Sequence, residues 1–371
     1  MKLQVLQENL SKALVTASRF TSGRAQLPVL GNILISGKKT KLLVSATNLE
    51  TSISISVGAQ IDKEGEITVP ARVITDIVAN LPVGSINLSA VKEQVKIKAQ
   101  NFESSVSGMN AADFPTIPQS VGKESITLER ESFLTALSQV SFAASIDETR
   151  PILTGILFIY KKGKLIMVAT DGFRLSQKEI PMKSIQKAQS VILPKTALSE
   201  LSRISSDEEK IGFSLRKSDN QVVFGFGGVI LASRILEGEF PDFERIIPKT
   251  SKLKISLDKE ELLRAVKLAS VFARESANVI NFKVRKNTVE LSAESQSSGS
   301  QETKVDAKVV GPVDKKGFKI AFNYRFLEDF LSVVKDDEVQ IELSATNAPG
   351  IFRDPKDPDY LHLIMPVKLQ T

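Results

Sequence analysis

The stretch "KLQVLQENLSKAL" at residues 2–14 is apolar at Leu3, Val5, Leu10, Ala13 and Leu14. The first two alternate, as one face of a strand requires, and the last three occupy the i, i+3 and i+4 positions of one helix face. It reads as strand, short turn, amphipathic helix. The same spacing returns in "SITLERESFLTAL" at 125–137, through Ile126, Leu128, Phe133, Ala136 and Leu137. It returns again in "KISLDKEELLRAV" at 254–266, through Ile255, Leu257, Leu262, Ala265 and Val266. A weaker copy lies inside each block: Ile67, Val69, Ile74, Ile77 and Val78; Val191, Leu193, Leu198 and Leu201, closing on a polar Ser202; and Ile320, Phe322, Leu327, Phe330 and Leu331. Six strand-helix units in register, starting at 3, 67, 126, 191, 255 and 320, make the chain a triplicated block.

Between the helices, segments such as "KLLVSATNLETSISISV" and "NTVELSAESQSSGSQETKV" alternate as strands and hairpins do. Ala46, Ala169 and Ala293 fall at equivalent points. The joints repeat as well: "DFPTIP" (113–118) and "EFPDFERIIP" (239–248) pair Phe-Pro with a later Ile-Pro, and proline there favours extended connections. The boundaries place domains at 1–121, 122–248 and 249–371. The fold class expected is α+β, three tandem domains each with two helices packed on antiparallel sheets. Such an array can satisfy its sheet edges by joining edge to edge, and can close on itself or on a second chain.

The composition narrows the function. Lys and Arg total 49 against 43 Asp and Glu, a net charge of +6 that modestly favours a polyanionic partner. With no cysteine, disulfides, thiolate metal sites and cysteine nucleophiles are excluded. The single histidine, His362, reads as a partly exposed strand residue and cannot build a histidine-rich metal site. The N-terminus has no signal-peptide core and no apolar run approaches a bilayer span, so a cytoplasmic protein is expected. There is no GxxxxGK[ST], no GxGxxG between a strand and a helix, and no GxSxG. "FGFGGV" (224–229) reads as a hairpin or bulge. Asp336/Asp337 and Asp354/Asp357 read as solvated loop acids. An enzyme is disfavoured, and no cofactor or metal is expected.

Seven motifs distributed over the whole chain carry a resemblance: LPVLGN (27–32), TVPAR (68–72), AADFP (111–115), ETRPILTG (148–155), ATDGFRLS (169–176), EGEFPDFERIIP (237–248) and MPVKL (365–369). As a set they resemble the bacterial sliding clamps, the beta subunits of DNA polymerase III. The resemblance implies a head-to-tail homodimer forming a six-domain ring, helices lining the hole and sheets outside. Such a ring encircles double-stranded DNA without reading sequence and tethers the replicative DNA polymerase, the clamp loader and other proteins bearing a clamp-binding motif. Diffuse phosphate contacts suit a ring that slides.

Carried over residue by residue, the resemblance implies a partner-peptide cleft around Leu153, Thr170, Gly172, Phe173, Arg174, Leu175, Pro241, Arg245, Ile246, Leu363, Met365, Pro366, Val367 and Lys368. Here glycine permits close approach, aliphatic and methionine side chains give an adaptable floor, and arginine closes the rim. It implies a DNA contact at Arg24, and if the helices line the hole, the basic residues on or next to them, Lys12, Arg72 and Lys195 with Arg203, Arg264, Lys267 and Arg325, are the further candidates, although Glu8, Asp76, Glu131, Glu200 and Glu328 share those helices. It implies a dimer interface at Ser104, Val106, Val271 and Phe272. Phe173 stands where histidine is common in the family, Lys368 where arginine is common, Ser104 where a large aromatic can occur, and Gln370-Thr371 extend past the usual terminal leucine. Two other readings remain open: a tandem-duplicated enzyme using Asp171 and Arg174, and a monomeric scaffold that binds protein alone.

Overall fold

The computed structural model describes residues 1–23, 27–122, 125–161, 163–182, 189–204 and 207–368. Among these, six α-helices form: α1 (Gln7–Ser18), α2 (Ala71–Asn80), α3 (Arg130–Ser141), α4 (Lys195–Arg203), α5 (Lys259–Ala273) and α6 (Tyr324–Val333). Each follows directly on a strand, as the repeated spacing predicts. Local chemistry starts some of them. The Asp258 carboxylate accepts the Glu261 amide at 2.8 Å to cap α5, and the Asn323 side chain accepts the Arg325 amide at 3.0 Å to cap α6. The repeated apolar positions are the buried ones: Leu10, Ala13 and Leu14 on α1, Phe133, Ala136 and Leu137 on α3, Leu262, Ala265 and Val266 on α5.

The chain packs as two compact units, one of Met1–Glu131 with Thr196–Ile235 and one of Ser132–Lys195 with Leu236 onward. Each holds one continuous twelve-stranded sheet in which the recorded pairings are antiparallel. The first unit joins its strands through Thr51–Lys63, which pairs with Val229–Arg234 from Thr51↔Ser233 to Ile55↔Val229. The second joins its strands in the same way, Arg174–Pro181 pairing with Tyr360–Ile364 from Arg174↔Ile364 to Lys178↔Tyr360. These junctions are repeat-equivalent, since Ala46↔Ile53 and Ala169↔Ser176 hold the same place in the preceding hairpin. Three matching backbone links tie off the repeats: Met109 N to Thr68 O (2.9 Å), Leu236 N to Ile192 O (2.9 Å) and Val367 N to Ala321 O (2.8 Å).

"FGFGGV" is a hairpin, its turn made by Gly227 and Gly228 at φ of 52° and 78°, which two-residue hairpin turns require. Two expectations need correction. His362 is not a partly exposed strand residue but is fully buried, its Nδ1 2.7 Å from Ser176 Oγ and its ring stacked on Phe330 at 5.4 Å, because both faces of its strand are covered. Asp354 and Asp357 are not solvated loop acids. Asp354 is 1% exposed and accepts the Lys335 and Lys356 amides, while Asp357 is paired with Lys178 and Gln139.

Candidate functional site

The "ATDGFR" turn links the strands Lys164–Thr170 and Arg174–Pro181 in the second unit. Asp171 organises it: Oδ1 accepts the Phe173 amide at 2.8 Å and the Arg174 amide at 3.0 Å. Thr170 Oγ1 donates to Arg174 O at 2.6 Å and accepts the Gly172 amide at 3.0 Å. Gly172 has φ of 93°, which strains any other side chain, and a Cβ there would lie 3.5 Å from Arg150 Nη1. The turn thrusts Phe173 outward, 62% exposed, while its carbonyl accepts the Met365 amide at 2.8 Å.

Arg174 does not close a rim. Its guanidinium is committed inward, with Nε on Asp171 at 3.0 Å, Nη1 on Asp329 of α6 and Nη2 on Phe142 O at 2.8 Å. The plane also lies over the Phe326 ring at 4.4 Å. The desolvated fork needs all its acceptors, so this arginine braces the turn from beneath. The arginines that do face solvent are Arg245, held to Asp242 at 2.6 Å, and Arg150, held to Asp147 at 3.1 Å; sequence reasoning had not named Arg150.

Above the turn an apolar cluster gathers Leu157, Val168, Leu175, Ile192, Phe243, Ile351, Leu361 and Leu363, with Ile152, Phe240, Ile247 and Met365 partly buried against it. Leu175 and Leu363 are fully buried and directly paired and form floor, while Leu153, 9% exposed, is buried beside Ile152 in the chain. Met365 and Pro366 are half-buried, and Ile246, Val367, Pro241 and Lys368 are exposed around them. An apolar floor with exposed apolar and cationic walls suits a short amphipathic segment.

The repeat shows how special this floor is. In the second repeat Leu157 pairs with both Val168 and Ile192, and Leu175 lies two residues along the next strand from Gln177, the partner of Val168. The equivalents of Leu157, Val168, Leu175 and Ile192 are Leu34, Ser45, Ser52 and Thr68 in the first and Asn281, Ser292, Ser300 and Ala321 in the third. Only the second repeat is apolar throughout.

The DNA candidates are dispersed. Arg24 lies outside the described residues. Arg72, 94% exposed along its side chain on α2, is 3.7 Å from Asp76. Lys12 is exposed on α1 and lines a groove of about 470 Å³ with Arg19 and Arg203, both ion-paired to Glu200. Lys195 is half-buried at the start of α4, where burial first and the Arg174 charge second lower its ammonium below the usual lysine range. Of the interface candidates, Val106 is 5% exposed and faces its own core, so it is not an exposed interface side chain. Ser104 is half-buried, Val271 is 57% exposed on α5, and Phe272 is half-buried against the core.

Family models for the DNA polymerase III beta subunit match in order along the chain: the N-terminal domain over 1–118, the central domain over 127–242 and the C-terminal domain over 244–368. The chain belongs to this family of sliding clamps. It is 33% identical to the beta sliding clamp of Staphylococcus aureus over 357 residues, 94% of both chains. The DNA polymerase sliding clamp of Bacillus subtilis superposes over 100% of both chains with a TM-score of 0.94 at 26% identity. The Pseudomonas aeruginosa sliding clamp solved bound to griselimycin does so with a TM-score of 0.92 at 26% identity. The protein is therefore a DNA sliding clamp of the DNA polymerase III beta type, with three clamp domains, and its family is one of non-catalytic processivity factors. Among the described residues, no helix of this clamp is long and apolar enough to cross a membrane.

Proposed function

We propose that this clamp works as a head-to-tail homodimeric ring around duplex DNA in the cytoplasm. In this reading it catalyses nothing itself, uses no cofactor, and holds the replicative polymerase, clamp loader and other partners by peptides seated over Leu175, Leu363 and Met365. Domain limits near 121 and 248 belong to the same reading.

The observation that carries the ring is a pair of open strand edges. Two of the three repeat junctions are made within the chain, by Thr51–Lys63 with Val229–Arg234 and by Arg174–Pro181 with Tyr360–Ile364. The equivalent third junction would use Gly299–Thr303 and Phe102–Val106. Among the described residues, the strand Gly299–Val310 pairs with Thr288–Ser295 and, only beyond Asp306, with Leu253–Asp258. Phe102–Ser107 pairs with Gln94–Ala99 alone. Two different, complementary edges on one chain make a heterologous contact, which closes when its rotation sums to a full turn. By equivalence Gly299 falls opposite Val106, Gln301 opposite Ser104 and Thr303 opposite Phe102 of the second copy. Exposed Val271 is then a flanking side-chain contact.

Encirclement needs charge and no base reading, and Lys12 and Arg72 on their helices, together with Arg24, are candidates to supply it. ATP-driven loading would fall to another protein, since the sequence has no nucleotide loop. Small-angle scattering across a concentration series tests the ring: a hollow particle of twice 40.5 kDa is expected. A second test is retention on nicked circular DNA that is lost when the circle is cut. A compact monomer at every concentration would remove the ring and favour the protein-binding scaffold.

A further inference from the structure

Resting on the cleft reading above, we propose that the outward sheet face of the third repeat extends the cleft. There a row of cations reads acidic residues flanking the apolar anchors of a bound partner peptide. The row crosses four strands in register: Lys319 opposite Lys283, Lys283 opposite Glu290, Glu290 opposite Lys304. Glu290 is 7% exposed because the cations cover it, with Arg285 Nε at 2.7 Å, Lys283 Nζ at 3.4 Å and Lys304 Nζ at 3.7 Å. One carboxylate thus positions three cations. Each ammonium carries three donors, and the three side chains stay 32–63% exposed, so donors are left over toward solvent.

The row is peculiar to this repeat. The equivalents of Lys283, Glu290, Lys304 and Lys319 are Ser36, Leu43, Ser56 and Glu66 in the first repeat and Ile159, Ile166, Glu179 and Ser190 in the second. It is also continuous with the cleft. The wall that begins at Met365, bonded to Phe173, runs to Val367, bonded to Ala321. Lys319 lies two residues from Ala321 on the same side of that strand, about 6.6 Å along it. A chain leaving the cleft beside Met365 and Val367 arrives at Lys319. Carboxylate is the chemistry favoured, since a carboxylate already sits among these cations, and the row presents no aromatic platform for stacking bases.

The test is fluorescence anisotropy with three peptides sharing leucine and phenylalanine anchors: neutral flanks, three glutamates before the anchors, or three after. They are titrated against the unaltered clamp, Lys304→Gln/Lys319→Gln, and Lys319→Gln alone, which leaves the cations on Glu290 in place. Exposed charge pairs contribute a fewfold each, so one acidic peptide should bind about tenfold tighter than the neutral one at low salt. That gain should shrink to under about twofold in the double variant, fall partway in the single variant, and vanish near 0.5 M salt, where screening is strong. The neutral peptide should bind all three proteins equally. No gain from either flank, or a gain unchanged in the double variant, overturns the proposal. A single-stranded oligonucleotide that outcompetes the acidic flank at these lysines would overturn it in favour of a nucleic-acid surface. Failure of the neutral peptide to bind at all would overturn the cleft itself.

Discussion

The junction of Thr51–Lys63 with Val229–Arg234 and that of Arg174–Pro181 with Tyr360–Ile364 share a hydrogen-bond register but present different chemistry. Where the second has Leu175, Leu363 and Met365, the first has Ser52, Ala232 and Arg234. Glu50 and Phe173 accept the same backbone bond, from Arg234 and Met365 respectively. Backbone pairing joins the repeats in both places, and side chains alone decide which junction offers an apolar floor. A docking site can therefore arise at one of several equivalent seams without altering the scaffold.

The largest expected effect breaks the second junction. Arg174→Ala strands Asp171, Asp329 and the Phe142 carbonyl, and removing one partner of a largely buried ion pair costs about 3–5 kcal/mol. Denaturant unfolding should show that loss. Thr51→Ala at the equivalent place in the first junction should cost far less, and equal losses would refute the contrast.

His362 supplies a pH test, because its equivalent in the first junction is Leu231. Burial, aided by the Arg174 charge, pushes the imidazole down to about 3. The unfolded chain takes up a proton near 6.5 that the folded chain refuses, so stability is full above that pH and is lost as pH falls toward about 3. At a slope of ~1.36 kcal/mol per unit, His362→Leu should gain about 2–3 kcal/mol on the unaltered clamp between pH 6.5 and 4.5. A stability difference that does not vary with pH would show the imidazole accepting its proton in the folded state.

Met365→Arg gives the second junction the residue of the first. Peptide affinity should drop about thirtyfold, on the scale of about 2 kcal/mol for a central anchor, with melting temperature little changed. Undiminished binding in calorimetry would place the cleft elsewhere.

The smallest effect concerns the open edges. The inferred register sets Glu302 opposite Glu103 of the second copy, and like charges facing across strands are unfavourable. Glu103→Lys should tighten the dimer by about 0.5–1 kcal/mol, read by sedimentation equilibrium. A weaker dimer would contradict the register.

The triplication, all six strand-helix units and the joints were legible in the sequence, because helix and strand periodicities of burial are local and recur in register. The turn at 169–176 was legible too, through its Asp, Gly and Arg. Leu361 could have been found from its alternation with Leu363 and Arg150 from its place in the ETRPILTG motif, whereas Ile351 and Asp329 come from distant segments with no local mark. Exposure was harder to read: Val106, His362 and Asp354 are types that occur inside or outside, and which way each faces depends on strands far away in the chain.

The sequence by itself determined the repeat, the element types and the family motifs, since these depend on residue spacing along one chain. Only the tertiary structure decided that Arg174 is spent inward, that of the three repeats the second alone is apolar at all four floor positions, and that among the described residues Phe102–Ser107 and the Gly299–Thr303 end of its strand each pair on one side only. Those facts rest on which distant strands pair, and in what register.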